Sequence, residues 1–387
     1  HVIHKFGTIT VVIIMIYLDY SATTPVREEV LKSFCDTARN YIGNPNSLHS
    51  LGMKSKHLMD AATKQIADLL NVKPSEVIYT SGSSESNNLA ILGIARKYQN
   101  RGKHIITTQL EHSSVTEPCE YLKKIGYEID YVPLLKNGQV DSVALEKMIR
   151  DDTILVSIAS VSSELGILQP IEQIGNLLKS YPKCFFHVDM TQSIGKVEIP
   201  LTNVDLVSFS AHKFYGLKGI GCLVKKDKIE LEPMIYGGKS TTVYRSGTPA
   251  LPLIVSLAKA LRLAQEDLNS KYERVKKYSH QLCEGLEKID GIIMNHTDAC
   301  IPHIVNFSVV GVKPETMLHA LEEHDIFIST KTACSKGSGM SIPVYALTKE
   351  EEVANTSMRV SISSDTTEAE IETFLKVLKQ QYEHLHN

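Results

Sequence analysis

Residues 206–225 read Leu-Val-Ser-Phe-Ser-Ala-His-Lys-Phe-Tyr-Gly-Leu-Lys-Gly-Ile-Gly-Cys-Leu-Val-Lys, and this stretch decides the fold class. The apolar runs 206–210 and 221–225 have the composition of strands and enclose a turn with Lys213 and two glycines, and a third glycine begins the second run. Similar runs predict strands at 76–80, 104–107, 128–133, 154–160 and 185–189. Helical patterns lie between several of them, as at 87–98 and 115–124. This alternation predicts βαβ units in an α/β fold with a mainly parallel, doubly wound sheet.

The pattern changes from about residue 255 onward. A long helical stretch at 253–289 is followed by predicted strands at 303–309, 327–329 and 358–362, and Thr367 and Glu370 form a capping box that opens a final helix. We therefore expect a large domain at 27–258 and a smaller α+β domain made of 15–26 and 259–387. Residues 1–14 are expected to be an upstream extension before a natural start at Met15, with a short native strand as the alternative.

Composition narrows the class of protein. The chain has 387 residues with 43% hydrophobic and 22% charged residues, as expected for a soluble globular protein. A net charge of −3 gives no reason to expect a nucleic acid or a membrane as partner. The seven cysteines are scattered and form no C-x-x-C motif, which favours reduced thiols in a cytoplasmic protein and no metal site.

Ligands of doubly wound sheets gather beyond the carboxyl ends of the strands, so polar residues there are candidates. Lys213 could form a Schiff base if its pKa is lowered, although a surface lysine in a turn fits equally well. Asp189 could pair with a protonated pyridine nitrogen or simply cap a helix. Gln192 could donate a hydrogen bond to the phenolic oxygen of such a ring.

Two further groups follow other strands. Residues 80–88 open a helix whose N-terminus, with Ser83 and Ser84, favours a phosphate, although a plain capped helix remains open. His112 could stack on a flat ring and shuttle a proton, or be structural. Ser210 and His212 could help to hold an anion. Four such groups at one sheet edge are hard to explain by packing alone.

These segments resemble the cysteine desulfurases of the NifS/IscS type, which lie within the class V aminotransferase group of fold-type I pyridoxal-phosphate enzymes. The resemblance extends from Ile16 to the C-terminus. It is carried by eight segments, at 17–25, 43–49, 80–88, 111–112, 187–192, 210–213, 245–248 and 332–335. The resemblance implies the fold-type I architecture and pyridoxal 5′-phosphate as cofactor.

The resemblance also implies roles for individual residues. Lys213 would hold the cofactor and act in catalysis, Arg359 would grip the substrate carboxylate, and Cys334 would be the nucleophile that receives sulfur. His112 would stack on the ring as a catalytic residue. The other implied cofactor-binding residues are Asp189 at the pyridine nitrogen, Gln192 at the phenolic oxygen, Ser83, Ser84, Ser210 and His212 at the phosphate, and Thr248 reaching it from the other subunit of a homodimer.

Cys334 has a sequence environment of its own. The segment Lys-Thr-Ala-Cys-Ser-Lys-Gly-Ser-Gly at 331–339 is small and polar, and two lysines flank the thiol. Nearby positive charge lowers the pKa of a thiol. An incidental loop cysteine is the alternative.

Three segments depart from the usual pattern of this family, at 162–166, 237–245 and 334–343. Ser162 and Ser163 stand where the family commonly has two asparagines. The implied function is conversion of L-cysteine to L-alanine, with a persulfide on Cys334 passed to a protein sulfur acceptor. That acceptor could be an iron–sulfur scaffold, a tRNA thiolation enzyme or a thiamine pathway carrier.

Rival functions remain open at this point. One is another class V enzyme, either a selenocysteine lyase or a small-amino-acid aminotransferase. The other is a non-catalytic sulfur-relay or scaffold protein. Because an aminotransferase has no need of Cys334, replacing that residue distinguishes the first rival.

Overall fold

The structure, a computed structural model, describes residues 2–6, 9–13, 15–330 and 339–386. The strands are β1 Val2–Phe6, β2 Ile9–Ile13, β3 Ile16–Tyr17, β4 Val77–Thr80, β5 His104–Thr107, β6 Glu128–Tyr131, β7 Thr153–Ala159, β8 Phe185–Asp189, β9 Leu206–Ser210, β10 Gly221–Lys225, β11 Ile292–Met294, β12 Ile304–Val309, β13 Ile326–Phe327 and β14 Ser357–Ser361. The α-helices are α1 Glu28–Asn40, α2 Ser50–Leu70, α3 Ser83–Lys97, α4 Ser113–Lys124, α5 Ser142–Met148, α6 Ile171–Leu178, α7 Leu251–Gln265, α8 Leu268–Leu286, α9 Pro314–Glu322, α10 Ile342–Thr348, α11 Glu351–Asn355 and α12 Glu368–His386.

The main sheet has seven strands in the order β4-β10-β9-β8-β7-β5-β6. Strands β9, β8, β7, β5 and β6 pair in parallel, whereas β10 is antiparallel to both β9 and β4. Since β4 and β9 both run against β10, their carboxyl ends lie at the same edge as those of the parallel strands. The predicted α/β fold with a mainly parallel sheet is confirmed.

Helices cover both faces of this sheet. Successive side chains of a strand point to opposite faces, so Ile105 packs with α3 and α4 while Ile106 packs with α2 and α7. In β7, Leu155 packs on the same face as Ile105, and Val156 packs on the same face as Ile106. Burial on both faces explains why the central strands are continuous apolar runs rather than alternating ones.

A second hydrophobic core lies around β11, β12 and β14, which form an antiparallel sheet. Helices α8, α9 and α12 contribute to this core, and so does the N-terminal segment through Ile16 and Leu18. Strand β3 pairs in parallel with β13, which joins the beginning of the chain to its C-terminal part. The C-terminal α+β part is thus present, while the domain boundaries at 26 and 258 stay a prediction.

The long helical stretch predicted at 253–289 is helical but not continuous. Two helices replace it, with α7 ending at Gln265 and α8 beginning at Leu268. Asp267 between them has φ 55°, a left-handed conformation that a short polar side chain tolerates and a continuous helix excludes. The capping box before α12 is confirmed, since Thr367 N donates to Glu370 Oε2 at 2.7 Å.

Near the N-terminus, β1 and β2 pair in antiparallel orientation. The expectation that 1–14 is an upstream extension stays a prediction. None of the helices within the described ranges is long and apolar enough to cross a membrane.

Candidate active site

A cavity of about 310 Å³ opens at the carboxyl ends of the parallel strands. Its lining comes from the ends of β7 and β8, from the turns that follow β4, β5, β7, β8 and β9, from residues 19–22, from Ser329 and from β14. Eight of the predicted site residues line it, namely Ser83, Ser84, His112, Asp189, Gln192, His212, Lys213 and Arg359. The fold therefore brings together residues up to 340 positions apart in the chain, since Asp19 and Arg359 both line the cavity.

Lys213 follows β9 in a short 3-10 turn, Ala211–Lys213. Its Nζ donates to the carbonyl oxygens of Ser21 at 2.6 Å and Ala22 at 2.9 Å. The amine is thus held by the N-terminal segment at the wall of the cavity. An amine oriented in this way at the cavity wall is placed to attack a carbonyl compound bound there.

Asp189 ends β8 and is 6% exposed. Its Oδ2 accepts from Asn87 Nδ2 at 2.7 Å, and its Oδ1 accepts from the Thr191 backbone N–H at 2.9 Å. Both contacts are from neutral donors, so they orient the carboxylate without neutralising it. A buried carboxylate facing a cavity favours a cation within that cavity, as a protonated ring nitrogen would be.

His112 caps α4, with its Nδ1 accepting from the Ser114 backbone N–H at 3.1 Å. Burial lowers the pKa of His112, so the neutral imidazole prevails at pH 7. Ser114 Oγ also accepts from Asn87 Nδ2 at 2.8 Å, which connects His112 to the residue that orients Asp189. A neutral ring fixed in this way is suited to stacking on a flat ligand.

The N-terminus of α3 forms another wall of the cavity, where Ser83 and Ser84 begin the helix. Free N–H groups at a helix N-terminus bind phosphate well. A Cβ added at Gly221 would lie 2.6 Å from Gly82 Cα, so the glycine lets β10 approach this helix start closely. Ser210 is buried beside it, with its Oγ 3.4 Å from a Cβ built at Gly82, but it does not line the cavity.

His212 lies on the same side of the cavity and its Nδ1 contacts Thr23 Oγ1 at 3.1 Å. Burial, reinforced by the charge of Lys213, lowers the pKa of His212 to about 4. It therefore offers a neutral N–H donor rather than a charge.

Arg359 of β14 is 3% exposed and lies opposite the sheet edge. Its Nη1 donates to Ser163 O at 2.8 Å and its Nη2 donates to Asp19 Oδ1 at 2.9 Å. Its buried Nε has no hydrogen-bond partner among the described residues. An oriented guanidinium with a remaining donor is suited to bind a carboxylate.

Gln192 differs in detail from its prediction. Its Nε2 donates to Ser21 O at 2.9 Å, and its Oε1 accepts from Lys196 Nζ at 2.8 Å. The amide nitrogen is on the cavity side, but its contact there is a backbone carbonyl.

Two predicted residues lie elsewhere. Thr248 lines a separate cavity of about 90 Å³ with Ser81 and Arg245, and therefore does not join the other site residues within one chain. Cys334 lies outside the described residues.

Sequence reasoning missed four residues that hold the site together, namely Asp19, Ser21, Asn87 and Lys196. Asn87 stands in the segment that opens α3, and its spacing of four from Ser83 places both on one helix face. Asp19 contacts Arg359, and Ser21 contacts Lys213. These contacts join distant parts of the chain and therefore have no local sequence signal.

These residues fit pyridoxal phosphate. The cavity has an amine at Lys213, a buried carboxylate at Asp189, a neutral ring at His112 and a helix N-terminus, which match the aldehyde, ring nitrogen, ring face and phosphate. Arg359 Nε and Thr191 Oγ1 are buried, unpaired within the described part of the chain, and belong to residues that line this cavity. No group of three His, Cys, Asp or Glu side chains in the described ranges is arranged to hold a metal ion.

Comparison with known proteins agrees with this chemistry. The family described as aminotransferase class-V matches residues 16–374. The cysteine desulfurase IscS of Glaesserella parasuis is 41% identical over 376 residues, covering 94% of this chain and 92% of that protein. The IscS of Vibrio cholerae is 41% identical over 373 residues with the same coverage.

Solved structures give the same result. A NifS-like protein superimposes with a TM-score of 0.91 at 32% identity, covering 96% of this chain and 100% of its own. The structure described as SspA in complex with cysteine has a TM-score of 0.79 at 33% identity, covering 91% of this chain and 99% of its own.

Proposed function

This chain belongs to the cysteine desulfurases of the class V aminotransferase family, and on that premise we propose that it converts L-cysteine to L-alanine with the sulfur left as a persulfide on Cys334. The observation that carries the proposal is the cavity at the sheet edge, where Lys213, Asp189 and Arg359 meet. Enzymes of this family use pyridoxal phosphate, so the predicted cofactor agrees with the family.

The chain's own residues divide the work. Pyridoxal phosphate, when bound, supplies an electron sink that makes the α-proton of an amino acid acidic. Lys213 would hold the cofactor at rest, and its Nζ, once displaced by the amino acid, would be free to take the α-proton. Asp189 would pair with the ring nitrogen, and His112 would stack on the ring. Ser83, Ser84, Ser210 and His212 hold the phosphate from the N-terminus of α3 and the end of β9.

Arg359 orients the substrate through its carboxylate, which leaves the side chain of the cysteine to meet Cys334. The Cys334 thiolate attacks the substrate sulfur, an S–S bond forms and the carbon–sulfur bond breaks. The electron pair of the broken bond stays on the β-carbon, which takes up a proton. Lys213 Nζ returns a proton to the α-carbon, so the amino acid released is alanine. The persulfide sulfur then passes to a protein acceptor, such as a scaffold or a thiolation enzyme, or to a reducing thiol.

A homodimer is the second part of the proposal. Two neighbouring segments expose large apolar side chains, with Leu48 94% exposed and Tyr236 70% exposed. Asn46 Nδ2 donates to Ser240 Oγ at 3.0 Å, which joins the segments into one surface. A second copy of the chain would cover this surface and bring its Thr248 towards the phosphate end of the site. We also infer a cytoplasmic location, which the free cysteines of the described residues support.

The assembly is tested by sedimentation of Leu48→Asp, which we expect to be monomeric. Ile125→Asp is the matched control, since Ile125 is 47% exposed at the end of α4 and outside these segments. A dimeric Leu48→Asp would contradict the proposed interface.

The chemistry is tested by measuring alanine and sulfide release from L-cysteine with a reductant, comparing the wild type with Cys334→Ala. We expect equal amounts of both products from the wild type and neither from the variant. Cys35→Ala, which removes a partly buried thiol on α1, should behave like the wild type. Full activity in Cys334→Ala would favour an aminotransferase, and preference for selenocysteine would favour a lyase. Absence of both products in the wild type would favour the non-catalytic rival.

A further inference from the structure

A second lysine lies directly behind the site. Lys196 is 9% exposed and ends the turn that follows β8. The preceding Gly195 has φ +71°, and a Cβ there would lie 2.8 Å from Ala264 Cβ of α7. The backbone before Lys196 is therefore fixed by close packing, and the side chain enters the interior.

The Lys196 ammonium fixes which way the Gln192 amide points. Lys196 Nζ donates to Gln192 Oε1 at 2.8 Å, and an ammonium has donors but no acceptor. The amide oxygen must face Lys196, so Nε2 faces the cavity and donates to Ser21 O at 2.9 Å. If the amide turned over, two donors would face each other at Lys196.

The same carbonyl connects this pair to the lysine that holds the cofactor. Ser21 O accepts from both Gln192 Nε2 and Lys213 Nζ, the latter at 2.6 Å. Lys196, Gln192, Ser21 and Lys213 thus form a continuous hydrogen-bonded chain from the interior to the cavity. A change at Lys196 is transmitted to the cavity through one amide.

Placing an ammonium here is costly. Burial, reinforced by the charges of Lys213 and Arg359, lowers the pKa of Lys196 to about 7. Among the described residues its hydrogen bond is to a neutral amide oxygen rather than to a carboxylate. An apolar residue of similar length would avoid this cost. The hydrogen bond to Gln192 is what an apolar residue could not make.

We propose that Lys196 is a positioning residue that holds the Gln192 amide nitrogen towards the cavity, where it donates to the ring oxygen of bound pyridoxal phosphate. This inference rests on the proposed function, since the ring oxygen belongs to the cofactor placed there. Lys196 does not line the cavity and acts through Gln192.

The test follows the visible absorption of the cofactor-loaded protein as a function of pH, in the wild type and in Lys196→Met. An N–H donated to the ring oxygen favours its deprotonated form. Losing that oriented N–H should raise the pH midpoint by about one unit and weaken the affinity of the apo-protein for pyridoxal phosphate by about three- to tenfold. Lys196→Arg retains donors and charge and should restore the wild-type midpoint.

Lys225→Met is the matched control. Lys225 is also a buried lysine, 3% exposed, but its Nζ donates to Ile229 O away from the cavity. We expect its midpoint to equal that of the wild type. An unchanged midpoint in Lys196→Met, or an equal rise in Lys225→Met, would overturn the proposal. Should Lys196→Met fail to fold, Lys196→Gln supplies the same comparison, with a smaller rise expected because an amide can still donate to Gln192.

Combining Lys196→Met with Gln192→Leu separates positioning from charge. If Lys196 acts through Gln192, the double variant should have the midpoint of Gln192→Leu alone. An additive rise would show that the charge acts directly and would refute positioning. None of these absorbance measurements depends on sulfide release. The role of Lys196 can therefore be judged even if the proposed role of Cys334 is refuted.

Discussion

Replacing Arg359 by lysine tests how the site binds its substrate. The guanidinium is 3% exposed and held by Ser163 O and Asp19 Oδ1, while its Nε is buried without a partner in the described residues. Lysine keeps the charge beside Asp19 but loses the planar fork that binds a carboxylate through two hydrogen bonds. The variant therefore removes the two-donor geometry without leaving the partly buried charge of Asp19 unpaired.

The magnitude follows from one lost hydrogen bond. A hydrogen bond to a charged group contributes about 1.5–3 kcal/mol, and about 1.4 kcal/mol corresponds to a factor of ten. We expect kcat/KM for L-cysteine to fall by about 10- to 100-fold, mostly through a higher KM. Arg359→Ala loses both hydrogen bonds to the substrate and also leaves Asp19 without its cationic partner. Its larger loss of kcat/KM is therefore harder to interpret.

The assay measures alanine formation against L-cysteine concentration at full cofactor occupancy, judged by visible absorbance. Arg150→Lys is the control, because Arg150 is exposed, pairs with Glu128 and Asp152, and precedes the amino end of β7, whereas the cavity lies at the carboxyl end. It should retain wild-type kinetics. A KM within twofold of wild type in Arg359→Lys would refute the carboxylate-binding role.

Two further outcomes follow from buried contacts. In Gly221→Ala the new Cβ would lie 2.6 Å from Gly82 Cα, so we expect a free energy of unfolding about 1–3 kcal/mol lower, measured by chemical unfolding. We also expect the variant to lose pyridoxal phosphate faster during dialysis. Unchanged retention of the cofactor would contradict the phosphate site at α3. Burial raises the pKa of Glu111 from 4.5 to about 8. Between about pH 5 and 8 the folded protein therefore keeps a proton that the unfolded chain releases. The free energy of unfolding of the protein should fall as the pH rises through that interval. Glu111→Gln should show a smaller fall across that interval, and equal falls in both proteins would contradict the buried protonated carboxyl.

Much of the site could be predicted because its residues follow strands. Lys213, Asp189, His112 and the start of α3 each lie just beyond a strand that the sequence marks by its apolar run. In a mainly parallel sheet this local position determines a shared edge. The strands at 104–107, 185–189, 206–210 and 221–225 match the observed bounds.

Other features depend on distant segments and carry no local signal. Ser21 meets Lys213 across 192 positions, and Asp19 meets Arg359 across 340. The orientation of Gln192 depends on Lys196. Sequence reasoning would place this lysine at the surface, although its ammonium is buried. The break at Asp267 was missed because the apolar period continues on both sides of it. Within one chain Thr248 lies in a separate cavity. Its predicted contact with the cofactor phosphate therefore requires a second copy of the chain.

The most direct test of the account is to locate the lysine that carries the cofactor. The loaded protein is reduced with borohydride, digested, and searched by mass spectrometry for a lysine that has gained a pyridoxyl group. The account predicts the group on Lys213 and none on Lys196, although both amines lie within the same hydrogen-bonded chain. A label on Lys196, or no labelled lysine at all, would contradict it.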